Sequence, residues 1–316
     1  MLIGHEGPWR EWRSALAGER IHHAWLLTGK AGLGKYSFAE QAARELVGSP
    51  PDQAQHPDIL LVSHPPKDDS EDRKRAEGKP FEKARSIRIA QIRAMQQRLN
   101  TRPTLGERRV IIIDPADDLE RNAANALLKS LEEPPNGTFF ILISHSPARL
   151  LPTIRSRCRT LRFPTLPDEK IANLLAEHMP DADAATRAAA ATAAAGSPGA
   201  ALKFVELGLG APASVMRAIM GDGDPAFLQR GKLAELIGAR PDRERLRAVL
   251  DLARAELVSG IEALDRGHAV ERIAIHQELV RLTGEFTTYN YDPGLLAMEI
   301  GTLLARAGQA SDRAYG

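Results

Sequence analysis

The sequence predicts an α/β domain built on a parallel sheet, followed by an all-helical remainder, on three observations. Short apolar runs alternate with helix-periodic segments over the first half. A glycine-rich stretch of spacing G-x-x-x-x-G-K joins one such run to one such helix. Beyond Pro164 to Pro167 no strand-like run recurs. Strands alternating with helices pack as a parallel sheet with helices on its faces.

Ala24-Trp25-Leu26-Leu27-Thr28 reads as a buried strand feeding the glycine-rich loop, and Tyr36 to Val47 as the helix after it. Ile59 to Val62 is a second apolar run. Residues 67–88 mix both charge signs with Gly and Pro and read as a solvated, mobile insertion, with a binding arm as the alternative. Ile89, Ile92, Met95, Gln96 and Leu99 share one helical face. Val110 to Ile113, continuous and β-branched, fits a central parallel strand covered on both faces. A helix follows from about Asp118 to Glu133, with Asp117 and Glu120 at capping-box spacing and Pro134-Pro135 as its stop. Phe139 to Ile143 and Thr160 to Phe163 complete the strands.

Residues 168–207 are alanine-rich, with Gly196 and Gly199 breaking short helices. Longer amphipathic segments run from Gly210 to Gly308, bounded by Pro212, Pro225, Pro241 and Pro293. Leu246, Val249, Leu250, Ala253, Leu257 and Ile261 align on one face of the longest. The expected organisation is a nucleotide-fold domain over 1–165, a small helical lid over 166–208 and a helical C-terminal domain over 209–316.

The 316 residues carry a formal net charge of +1, so no global field draws the chain to nucleic acid or membrane. Cys158 is the single cysteine, which excludes an intrachain disulfide and fits a reducing compartment. The start of the chain has no apolar signal core, and no apolar run reaches membrane-spanning length. A cytoplasmic protein without membrane contact is expected.

Gly29, Gly32, Gly34 and Lys35 complete a phosphate-binding loop, but Tyr36 stands where such loops carry the Ser or Thr that ligates Mg²⁺. A phenol is too long and rigid to place its oxygen there. Asp114 closes its strand in the position of a Walker-B carboxylate, and the next residue is Pro115, which has no acid. The loop is compatible with ATP or ADP held without turnover, or with no nucleotide, and no cofactor is assigned. Histidine spacing indicates no metal site, and Cys158 reads as a small buried hydrophobe.

The segment from Asn125 to Cys158, NALLKSLEEPPNGTFFILISHSPARLLPTIRSRC, closely resembles bacterial clamp-loader subunits. These are AAA+ (RecA-like P-loop) proteins, and the similarity is greatest to the delta-prime branch of the DNA polymerase III holoenzyme. His23 to Leu27, Gly196 to Leu202, and Asn290 to Pro293 with Leu295 to Glu299 extend the resemblance along the chain. It implies a five-subunit assembly with ATPase subunits and a delta subunit, joined by a collar of C-terminal helical domains, acting on a sliding clamp and primer-template DNA. It also implies that Arg157, in Ser156-Arg157-Cys158, projects as an arginine finger into a neighbour's ATP site. Many delta-prime subunits carry a four-cysteine zinc module, whereas Gly48 to Asp58 holds no cysteine, so no zinc is expected. The lid lacks the Arg that hydrolysing relatives place near Pro198-Gly199-Ala200-Ala201. The expectation is a non-hydrolysing stator; the alternative is an ATP-hydrolysing motor subunit of the same loader.

Overall fold

The computed structural model describes residues 4–18, 21–50, 56–286 and 291–312. It divides into two compact units, 1–165 and 166–316.

The first unit runs α1 (Glu6–Leu16), β1 (Ala24–Thr28), α2 (Lys35–Val47), β2 (Ile59–Val62), α3 (Asp69–Ala76), α4 (Ile89–Leu99), β3 (Arg109–Ile113), α5 (Arg121–Glu132), β4 (Thr138–Ser144), α6 (Pro152–Arg155) and β5 (Arg159–Arg162). All five strands are parallel, in the order β2-β3-β4-β1-β5. Strand alternation sorts the side chains into two cores. Leu26, Ile111, Ile113, Phe140 and Leu142 pack under α4 and α5 with Ile92, Met95, Leu127 and Leu131. Trp25, Leu27, Val110, Ile112, Ile141 and Ile143 pack on the other face with Trp12 of α1 and Phe38, Ala42 and Leu46 of α2. Thr28 pairs with Ser144 on one side and Arg162 on the other. That register brings the loops after β1, β3, β4 and β5 to one edge of the sheet. From β4 the chain crosses over β1 to reach β5, so the loop after β1 sits where strand order reverses, the usual place for a ligand in an open α/β sheet.

Two expectations for this unit are corrected. Residues 67–88 are a structured excursion: Asp68 caps α3 by accepting from Ser70 and Glu71 amides, and Pro66 bridges Lys83 antiparallel. The buried Glu71 carboxylate accepts from the Glu82 amide at 2.6 Å and the Lys74 ammonium at 2.7 Å, and Ile87 anchors the returning limb in the core beneath α4 and α5. The helix expected from Asp118 is split. Ala116–Asp118 forms a 3₁₀ turn, and α5 starts at Arg121 with no side-chain cap. Asp117 therefore caps nothing, and its real partners are described below. α1 is an additional element for which the sequence pattern sets no expectation, although Trp9, Trp12 and Leu16 have helical spacing.

The second unit is helical throughout its described residues: α7 (Asp168–His178), α8 (Ala184–Ala193), α9 (Pro198–Glu206), α10 (Gly210–Asp222), α11 (Leu228–Ile237), α12 (Arg243–Val258), α13 (Arg266–Phe286) and α14 (Pro293–Asp312). Asp183, Ser197 and Asp242 cap α8, α9 and α12. Leu246, Val249, Leu250, Ala253 and Leu257 are buried along α12 as the periodicity predicts. Ile261 instead falls in a 3₁₀ turn, because Gly260 turns left-handed and ends the run. Gly199 lies inside the first turn of α9, so only Gly196 breaks a helix there. α8 packs on α9, α10 and α12 within one compact unit.

Candidate functional site

The phosphate loop is built by backbone constraints before any ligand is considered. Gly29 leaves β1 at φ +147°, and a Cβ there would stand 2.5 Å from the Phe163 carbonyl oxygen. Gly34 caps α2 in the left-handed region at φ +76°, which a side chain would strain. Lys35 opens α2 and is 3% exposed. Its ammonium donates to the Gly29 and Lys30 carbonyls at 2.6 and 2.5 Å. Burial lowers its pKa to about 8, against the opposing pull of Asp114 and Asp117. An ammonium has three donors, so one remains for a phosphate oxygen. Tyr36 is 40% exposed on the outer side of the first turn.

The acidic end of β3 is tied into the protein. Asp117, buried, accepts from the Ser144 hydroxyl at 2.6 Å, from the His145 amide and from the Ser146 amide at 3.1 Å. This is the role of Ser144 that the sequence did not reveal. Asp118 pairs with His64 at 3.1 Å and with Arg149 at 3.3 Å. Asp114 has its carboxyl held above the usual range by burial, while His145, Lys35, His64 and Lys83 pull the other way.

A cleft of about 920 Å³ adjoins the loop, lined by Gly7, Pro8, Gly29, Arg162, Phe163 and Pro164. Beside it, His5 is buried, donates from Nε2 to the Leu33 carbonyl and meets Phe163 edge-on at 4.8 Å. Its Nδ1 has no partner, and burial lowers its pKa. An isolated histidine near the chain start offers no spacing signal, so the sequence could not single it out.

A P-loop implies a nucleotide and, for hydrolysis, Mg²⁺. The glycine backbone and Lys35 fit a phosphate chain. Their fit to the metal is incomplete: Asp114 stands at the strand end, but Tyr36 offers no small hydroxyl, Pro115 no acid, and Asp117 and Asp118 are already engaged. Among the described residues no group of three or more His, Cys, Asp or Glu could hold a metal ion. Within the cysteine-free stretch 48–58, residues 51–55 lie outside the described ones, and His56 sits in the turn before β2.

Arg157 lies at the opposite edge of the sheet. Ile154 and Cys158 turn into the core beneath α5, while Arg157, between them in the tight turn that follows α6, faces out with its side chain 34% exposed. Its guanidinium donates to the Thr153 carbonyl at 2.9 Å and pairs with Glu132, the last residue of α5, at 2.5 Å. Burial pushes the Cys158 thiol up to about 12, which fits a packing role. Arg157 precedes β5 and the phosphate loop follows β1, parallel and in register with it. About six residues of extended chain, roughly 20 Å, separate Arg157 from the edge that holds its own loop.

Strand order, loop and acidic strand end define an AAA+-type P-loop domain. The chain belongs to the family described as DNA polymerase III, delta subunit, whose model matches residues 4–167. It is 38% identical over 169 residues to DNA polymerase III subunit delta' of Pseudomonas aeruginosa, covering 48% of this chain and 46% of that one. The delta' subunit of Bacillus subtilis is 33% identical over 178 residues, covering 52% and 49%. The tau/gamma subunit of Haemophilus influenzae is 31% identical over 181 residues, 55% of this chain and 25% of that one. The chain thus spans about half the length of the delta' relatives it matches. Among solved structures, a gamma subunit-related protein of Thermotoga maritima aligns over 95% of this chain and 99% of its own, at 17% identity and a TM-score of 0.48. No helix among the described residues is long and apolar enough to cross a membrane.

Proposed function

We propose that this chain is a non-hydrolysing stator of the cytoplasmic assembly that loads the sliding clamp onto primer-template DNA during replication. Its partners are the loader's ATPase subunits and delta subunit in a hetero-pentamer. The second unit divides functionally into a lid, 166–208, and a collar, 209–316. Arg157 acts as an arginine finger at the ATP site of the adjacent subunit. One observation carries this reading: Arg157 stands at the edge of the sheet away from its own phosphate loop, so any phosphate it meets belongs to another chain. A guanidinium suits the task because its planar fork presents several donors and stays charged, and a finger in trans stabilises charge on the transferring phosphoryl group. Glu132 holds it in place until a stronger anion competes.

In its own loop the residues from Gly29 to Lys35 would hold the phosphates of ATP or ADP without turnover. Similarity to tau/gamma subunits is the observation favouring the motor alternative, and Tyr36 and Pro115 oppose it. Reconstituting the loader with Arg157→Ala and measuring DNA-stimulated ATP hydrolysis tests the finger. A large loss in rate with normal assembly is expected, and an unchanged rate removes the assignment. Robust Mg²⁺-dependent hydrolysis by the isolated chain would establish the motor instead.

A further inference from the structure

Two prolines decide how α5 ends. The Glu133 amide closes the helix on the Lys129 carbonyl at 3.1 Å. The next two carbonyls, of Ser130 and Leu131, would take the amides of residues 134 and 135, but both are proline and have none. The Leu131 carbonyl is answered from 108 residues away: His23 donates to it from Nε2 at 2.9 Å. His23 stands just before β1, where its own carbonyl accepts the Phe140 amide of β4 at 2.7 Å. Its ring stacks on His22 at 4.7 Å and 19°, and His22 is held to the Ala24 backbone through Nδ1. The donor is thus fixed to the sheet itself.

The turn that carries Arg157 rests on the same end of α5. Leu131 shares a core with Ile154 and Cys158, which flank Arg157. Glu132, the residue after the tethered carbonyl, receives the guanidinium at 2.5 Å. We propose that His23 is a positioning residue for Arg157: by capping the proline-terminated end of α5 it fixes the seat, apolar and ionic, from which the guanidinium reaches a neighbour's nucleotide. This rests on the reading of Arg157 as a finger in trans. Small displacements matter there, because a charge that stabilises a transition state must already stand in place. The effect travels through the seat as a whole, so loss of the ion pair alone is tolerated while loss of the tether is not.

Two substitutions separate the donor from the ring. His23→Phe keeps a ring on His22 and removes the donor, and His23→Gln keeps a donor at a similar reach. In the reconstituted loader, His23→Phe is expected to lower the maximal rate of DNA-stimulated ATP hydrolysis by about threefold to tenfold, the factor one neutral hydrogen bond is worth. The KM for ATP should not change. His23→Gln should stay within about twofold of the unsubstituted rate. Added to Arg157→Ala, His23→Phe should cost less than about twofold more, because the group it positions is gone. In the full chain alone, amide exchange in the last turn of α5 should quicken in His23→Phe and not in His23→Gln. An unchanged rate or unchanged exchange in His23→Phe overturns the proposal. So does a loss of equal size with and without Arg157, the mark of a purely structural role. If Arg157→Ala itself leaves the rate unchanged, the finger reading falls and the role of His23 with it. A flat His23→Phe beside a large Arg157→Ala loss removes the role of His23 alone.

Discussion

At the C-terminal edge of the sheet Lys35, Asp117 and Asp118 are each committed to partners inside the unit. At the N-terminal edge Arg157 is a third exposed and held by Glu132 and a carbonyl. The first edge has the motif of a catalytic site with its polar groups turned to structural work. The second has a tetrapeptide helix and turn, and it presents an outward-facing guanidinium. The polar groups of the first edge are spent inward, whereas the Arg157 charge faces outward on one ion pair and one carbonyl bond.

The contrast can be broken from either side. The largest expected effect lies beneath Arg157: with its thiol at about 12 rather than the ordinary 9, Cys158 in the native chain should carry roughly 10³-fold less thiolate at neutral pH. Disulfide-exchange reagents should label it only on unfolding, and rapid native labelling would show that edge to be open. Asp117→Ala leaves the Ser144 hydroxyl and two amides without their acceptor and should cost about 3 kcal/mol in denaturant unfolding. Asp117→Asn should cost less. A near-neutral Asp117→Ala would mean that the C-terminal edge is not committed as described.

Lys35 gives a smaller effect with a definite sign. Its pKa falls from 10.5 to about 8 on folding, so between those values the unfolded chain binds more protons. Stability from this residue is therefore penalised below pH 8 and recovers as pH rises towards 10, by on the order of 2 kcal/mol. Chemical denaturation across that window should show the gain, and Lys35→Met should remove it. Arg157→Ala should slow hydrolysis in the reconstituted loader by at least about tenfold while shifting unfolding by less than about 1 kcal/mol. Smallest of all, Glu132→Gln breaks the ion pair and should change stability by no more than a few tenths of a kcal/mol. Loader activity should survive it, and a loss as large as that of Arg157→Ala would make the pair, rather than the free guanidinium, the working unit.

β1 to β4 are legible because their residues are largely apolar, and all five strands appear within a residue or so of the expected bounds, although β5 is Arg-Thr-Leu-Arg with only Leu161 buried. β3 begins one residue early, at a buried arginine. Arg109 is 2% exposed because the carbonyls of Thr101 and Arg102 receive its guanidinium at 3.0 and 2.8 Å, partners that hydropathy does not register. The glycines and Lys35 of the loop were legible for the same local reason. Illegible were the groups whose meaning depends on distant partners. Asp117 looked like a cap because Glu120 lies three residues on, and only the fold brings Ser144 to it. The stretch 67–88 reads as unstructured because Asp68 capping and the Glu71–Glu82 bond leave no hydropathy signal, and its apolar anchors, Ala84 and Ile87, are too few to set a period.

Gly29 carries a lesson about inheritance. The space its missing side chain leaves is claimed by the carbonyl of Phe163, the residue that ends β5's side of the cleft. Selection for folding alone would thus preserve that glycine, with or without turnover at the loop. The loop's backbone path is maintained by packing against β5's end, whatever chemistry the side chains of Tyr36 and Pro115 support.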